Sequence, residues 1–127
     1  MGFRLVTSKK TEDIFLELGA RSNLKPFALA KIAIALSLTN KENIENYPLD
    51  QSKGLELNIQ TITGKYNAIY KCLLEQHAGR HLTDDEYCPD HLKRHIDRGA
   101  EMLIAKYNYA TNLERFINLC IKGGNAI

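Results

Sequence analysis

No stretch of this chain approaches the eighteen or so consecutive apolar residues that a membrane-spanning helix needs. The longest, Ile32 to Leu38, is short and includes Ser37, which argues against membrane insertion. The N-terminal stretch has no apolar leader with a small-residue cleavage site, so no secretory signal is expected. Met1-Gly2 opens a myristoylation pattern, but Val6 stands where Ser or Thr is required. Cysteine is scarce: Cys72, Cys88 and Cys120 lie far apart and form no CxxC pair. That points away from a disulfide framework and toward a reducing, cytoplasmic setting. Cys72 and Cys120 fall on apolar helical stretches and are expected to be small buried hydrophobes. Walker, Rossmann, HExxH and GxSxG patterns are all missing, so neither a catalytic residue nor a cofactor is expected.

What is present is an ordinary globular composition, 44% hydrophobic and 25% charged over 127 residues, enough for one domain, 1–127, with its own core. The formal net charge is only +2. Residues 1–41, however, carry seven basic side chains against Glu12, Asp13 and Glu17. The positive charge is therefore local, and an anionic partner is expected to meet this third of the chain.

The pattern predicts a mainly α, compact bundle of about five helices that opens with a helix-turn-helix hairpin. Ser8 is an N-cap candidate for the first helix, with Glu12 and Asp13 in its first turns. Thr11, Ile14, Phe15 and Leu18 share its apolar face. Asn23 suits the left-handed residue that ends a helix, and Pro26 suits the first position of the next, about Pro26 to Leu38. That second helix is apolar nearly all round, with Lys31 its only charge, and belongs to a core or a subunit interface. Asn40 to Ser52 reads as an acidic loop. Leu55, Leu57 and Ile59 alternate with polar neighbours, predicting a strand or extended arm near 55–62. A third helix is expected over about Lys65 to Gln76, with Tyr66, Ile69, Tyr70 and Leu73 on one face. A loop follows over Gly79 to Pro89, with the solvated acidic run Asp84-Asp85-Glu86. A fourth helix is expected over about Asp90 to Tyr107, burying Leu92, Ile96, Ala100, Leu103 and Tyr107. Thr111-Asn112-Leu113-Glu114 has the capping-box pattern, so a fifth helix is expected to run to about Lys122 and stop at Gly123-Gly124.

One local rule is broken. Lys25 occupies the position ahead of a helix-starting proline where Ser, Thr, Asp or Asn would cap free amides. A lysine beside an uncapped helix N-terminus can converge with the amides on one phosphate oxygen. With Arg4, Lys9, Lys10, Arg21 and Lys31, it makes up a candidate DNA phosphate-binding set. The strand-like Phe3 to Val6 ahead of two helices also admits a ribbon-helix-helix regulator, with Arg4 as a base reader. Cys88, His91 and His95, with His77 or His81, admit a metal site, but four ligands would have to converge across an acidic loop. No metal is expected, and these histidines read as partly exposed, with Arg94 and Arg98 beside them as further cations for a phosphate surface.

The order and spacing of five elements go further: Phe3-Arg4-Leu5 before a basic helix, Ala20-Arg21-Ser22-Asn23-Leu24-Lys25-Pro26, Ile32-Ala33-Ile34-Ala35-Leu36-Ser37-Leu38, Thr63-Gly64-Lys65-Tyr66, and His95-Ile96-Asp97-Arg98-Gly99. Over roughly residues 3–121 the chain resembles the DndE family of the bacterial DNA phosphorothioation, or DNA sulfur modification, system. The resemblance implies an all-α homo-oligomer, a tetramer in the family, that binds DNA, notably nicked duplex, through surface lysines. It also implies work alongside DndC and DndD, which would carry the sulfur chemistry. Lys9 and Lys10 match a basic position at the start of the family's first helix. The alternatives are the ribbon-helix-helix regulator, an assembly scaffold of the modification complex without direct DNA binding, and a metal-dependent nuclease.

Overall fold

The computed structural model describes residues 4–122, with side chains as far as residue 110. Strand β1 (Arg4–Val6) leads into α1 (Lys9–Ser22) and α2 (Pro26–Thr39). A 3-10 turn at Ile44–Asn46 interrupts the acidic loop before β2 (Glu56–Asn58), α3 (Ile59–Ile62), a second 3-10 turn (Gly64–Tyr66) and α4 (Asn67–Ala78). A π-helical turn, Glu86–His91, then runs into α5 (Leu92–Lys122). The fold is mainly α with one small antiparallel sheet, in which Arg4 pairs with Asn58, Leu5 with Leu57 and Val6 with Glu56.

Local chemistry sets the hairpin as expected. The Ser8 hydroxyl accepts the Thr11 amide at 3.1 Å, and Thr11, Ile14, Phe15 and Leu18 are buried. Asn23 ends α1 at φ 64°, its amide returning to the Gly19 carbonyl at 2.9 Å, and Pro26 opens α2. Helix α2 buries Leu29, Ala30, Ala33, Ile34 and Ser37 but leaves Phe27 and Ile32 partly exposed.

The core lies where α2 crosses the first turns of α5. Leu92, Ile96 and Ala100 are buried, as the 3.6-residue period requires, while Leu103 and Tyr107 are half-buried against them. The two backbones touch at Gly99: a Cβ there would sit 1.8 Å from the Ala33 carbonyl oxygen.

Several expectations are corrected. The predicted fourth and fifth helices are one helix of 31 residues. The backbone stays helical through Thr111, so its amides have intrahelical partners and there is no break for a capping box to serve; the Thr111 and Glu114 side chains and the Gly123-Gly124 stop lie outside the described residues. The expected strand near 55–62 is extended only at Glu56–Asn58. The Asn58 side chain then caps α3 by accepting the Gln60 amide at 2.9 Å, a side-chain bond that competes with continued extension. Helix α4 starts two residues later than expected; of the expected Tyr66, Ile69, Tyr70 and Leu73 face only Tyr70 packs against the core, beside the buried Leu74, while Tyr66, Ile69 and Leu73 are exposed. Cys72 is also exposed, because it falls on the outer side of that helix; the Cys120 side chain lies outside the described residues. The loop over Gly79 to Pro89 is partly helical: Asp84 pairs with Lys71 at 3.0 Å and Glu86 with Arg80 at 3.0 Å.

Candidate nucleic-acid interface

All six expected phosphate-binding residues are exposed, but the fold treats them in two ways. Four are ion-paired within the chain: Arg4 with Glu56 at 2.5 Å, Lys9 with Glu12 at 2.6 Å, Lys10 with Glu101 at 3.1 Å, and Arg21 with Glu17 at 4.0 Å. The Glu12 hydrogen bond and charge raise the Lys9 pKa. Lys25 and Lys31 form no ion pair among the described residues. Exposed pairs contribute only about 0–1 kcal/mol, so the first four can still turn to an anion at small cost, and the last two face no carboxylate competitor among the described residues.

Lys25 stands as the N-cap of α2 in extended backbone, with no side-chain cap. Its carbonyl accepts the amides of Ala28 at 3.0 Å and Leu29 at 3.1 Å, and Pro26 has no amide to offer. An anion here would be met chiefly by the ammonium and the Phe27 amide. Six residues on, about 9 Å along the axis, Lys31 lies over the Phe27 ring, 5.5 Å from its centroid. Opposite, Lys65 lies 5.3 Å from the Tyr66 ring centroid. Sequence reasoning did not include Lys65 in the site, although Thr63-Gly64-Lys65-Tyr66 was visible. The turn that displays it depends on Gly64 at φ +51°.

Arg94 and Arg98 do not extend this surface. Arg94 binds Asp90 at 2.6 Å and the carbonyls of Glu45 and Tyr47. Arg98, 6% exposed, donates to the Ser37 hydroxyl at 2.8 Å and to the carbonyls of Ser37 (2.7 Å), Glu42 (2.8 Å) and Asn40 (3.3 Å). It thereby closes the C-terminus of α2 with a positive charge, which the helix dipole favours. The adjacent Asp97 does the converse at the N-terminus of α1. Its carboxylate accepts the Ser8 amide at 3.1 Å, the Thr11 hydroxyl at 2.6 Å and the Lys93 ammonium at 3.0 Å.

The histidines expected to be partly exposed are split. His91 and His95 are buried, whereas His81 is fully exposed beside Glu75. His91 bonds Glu45 at 3.3 Å, and His95 Nδ1 meets the Ser37 hydroxyl at 2.8 Å, with the His77 ring edge-on at 5.1 Å between centroids. Among the described residues no group of three or more His, Cys, Asp or Glu is placed to hold a metal.

Burial, with the Arg98 charge second, pushes His95 down to about 3 from the usual 6.5. The unfolded imidazole therefore takes up a proton below about pH 6.5 that the folded one refuses until about pH 3. His95 makes the fold lose stability as pH falls across that window, with a slope of up to about 1.4 kcal/mol per pH unit. Urea unfolding at pH 7, 6, 5 and 4 should show a shallower decline for His95→Asn than for the parent; parallel declines would exclude this origin.

Among the described residues, no helix is long and apolar enough to cross a membrane. No curated protein matches the chain. The crystal structure of DndE from Escherichia coli B7A, described as involved in DNA phosphorothioation modification, superposes with a TM-score of 0.63 at 18% identity. The superposition covers 80% of this chain and 94% of that one, and shows a shared fold. The family described as DNA sulphur modification protein DndE matches residues 4–111, which takes in β1, the helical hairpin, the exposed lysines and the Asp97-Arg98 junction. The chain belongs to the DndE family.

Proposed function

We propose that this chain is a non-catalytic, cytoplasmic accessory protein of DNA phosphorothioation that binds the duplex backbone, preferentially at nicks, through surface lysines. It acts as a homo-oligomer, a tetramer in this reading, alongside DndC and DndD. The observation that carries the reading is the exposed cation set on residues 4–31 in a chain of this family, with Lys25 and Lys31 free of ion pairs among the described residues. One protomer offers few phosphate contacts, so several copies of the same patch would be needed for useful affinity.

The test is a gel-shift titration on nicked and intact duplex over a salt series. Log affinity should fall with log salt by about 0.9 per neutralised phosphate, and each lost lysine contact should reduce the slope by about that amount. Lys25→Ala/Lys31→Ala is expected to weaken binding more than Lys9→Ala/Lys10→Ala, whose side chains must first leave carboxylates. Variants that bind as tightly as the parent would overturn the assignment.

The ribbon-helix-helix alternative is disfavoured by β1, which takes its pairing partner from β2 of the same chain. The scaffold alternative draws support from the apolar side chains left exposed on α2. It predicts stable assemblies with no affinity for DNA at moderate salt.

A further inference from the structure

Between α2 and α4 lies an open groove of about 320 Å³, walled by Ile34, Leu38, Tyr66, Ile69, Tyr70 and Leu73, with Lys31 at its edge. Its wall formed by α4 and the preceding 3-10 turn is uncovered among the described residues: Tyr66 is 52% exposed and Ile69 56%. We propose that this groove receives an unpaired nucleobase of a DNA strand, while Lys31 and Lys65 hold the flanking phosphates. The inference rests on the DNA-binding reading above and adds to it a second mode of contact.

The volume is at the lower end of small-ligand sites, about 300–1,000 Å³, suited to one base and not to an extended molecule. The groove has apolar walls with two tyrosine rings, and a flat π-faced base gains by stacking on such rings whatever its sequence. Among the described residues Lys31 is the one charged side chain that lines the groove, and neither it nor Lys65, beside Tyr66, is ion-paired. Lys65 lies over Tyr66, one of the groove's own rings, which sets cation beside ring, the pairing that a nucleotide's phosphate and base require. A second copy is a poorer occupant. A two-fold contact through this face would set the patch against itself and bring lysine toward lysine, with no acid among the described residues of the groove to offset them. In an intact duplex the bases are stacked inside, so only a base at a strand end or interruption can enter.

Fluorescence anisotropy on two labelled DNAs tests this: a nicked duplex in which every base is paired, and the same nicked duplex bearing a three-thymine flap at the nick. The flap should tighten binding by about tenfold, the scale of one stacked base. Tyr66→Ala/Ile69→Ser should abolish that gain and leave affinity for the paired duplex unchanged. Both side chains are more than half exposed, and a thermal melt by circular dichroism checks that the variant folds. Equal binding of the two DNAs by the parent overturns the groove assignment alone, whereas failure to bind the paired duplex overturns the backbone-binding reading. If light scattering shows that the double variant breaks up the parent's assembly, the groove is a seam between copies and the proposal falls.

Discussion

Gly99→Ala is expected to remove a large part of the stability of this fold by adding one methyl group. The added carbon would lie 1.8 Å from the Ala33 carbonyl oxygen, 2.3 Å from its carbonyl carbon and 2.7 Å from its Cα. All three atoms are backbone, in the middle of α2, so no side-chain rotation relieves the clash; the two helices must separate. Overpacking of well-filled cores costs about 1–3 kcal/mol and occasionally more, and separation here would also loosen Ala30, Ile34, Ile96 and Ala100. We expect a loss of about 3 kcal/mol or more, against a total of about 5–15 kcal/mol for a domain of ordinary stability. Urea titration followed by the helical circular dichroism signal measures it. A loss below about 0.5 kcal/mol, the range of neutral surface substitutions, would show that α2 and α5 are not in backbone contact at this point.

Asp97→Ala is expected to be about as damaging, for an electrostatic reason. The Asp97 side chain is 2% exposed and that of Lys93 11%. Removing the carboxylate leaves a nearly buried ammonium without its counter-charge, and leaves the Ser8 amide and Thr11 hydroxyl without this acceptor. Breaking a buried pair from one side costs about 3–5 kcal/mol. A second substitution separates the causes. Asp97→Ala/Lys93→Met removes the stranded charge and should recover a substantial part of the loss, giving the non-additivity of directly coupled residues. Asp97→Asn, which can still accept from Ser8 and Thr11, should fall between the parent and Asp97→Ala. If the double variant is no more stable than Asp97→Ala alone, the charge pair is not the source of the effect.

The features legible in the sequence are those decided within one or two helical turns. The Ser8 cap, the Asn23 turn, Pro26 at the head of α2 and the Thr11, Ile14, Phe15, Leu18 stripe all depend on neighbours close in the chain. The capping-box reading at Thr111 failed because a local start signal has no force when the preceding helix already satisfies the amides it would cap. The apolar stripe of α4 was visible, but periodicity cannot say which part of a stripe meets the core, and here Tyr70 and the adjoining Leu74 do while Ile69 and Leu73 do not. The buried state of His91 and His95 was hidden because their partners, Glu45 and Ser37, lie 46 and 58 residues away.

The candidate interface divides in the same way. Its cations were countable from the sequence, and the Lys9–Glu12 pair lies within one helical turn. The Lys10–Glu101 pair spans 91 positions, and the approach of Tyr66 to Lys31 depends on how α4 packs beside α2. Which lysines are free to meet an anion is therefore a tertiary property. Asp97-Arg98 shows the limit most plainly: the segment was noticed for its resemblance to a family, while its physical work, closing one end of each hairpin helix, needs partners from Ser8 to Glu42.

That junction also sets an order of events when the chain is made. The hairpin over residues 9–39 emerges first, yet the carboxylate that holds its beginning, the guanidinium that holds its end and the glycine against which α2 rests come some sixty residues later. At roughly 5–20 residues per second, translation would leave the hairpin waiting about 3–12 s for them. During that interval the face of α2 that the first turns of α5 will cover stands open. The protein is thus built to close late, when the first turns of α5 arrive, and the nascent hairpin is the segment a chaperone would have most reason to hold.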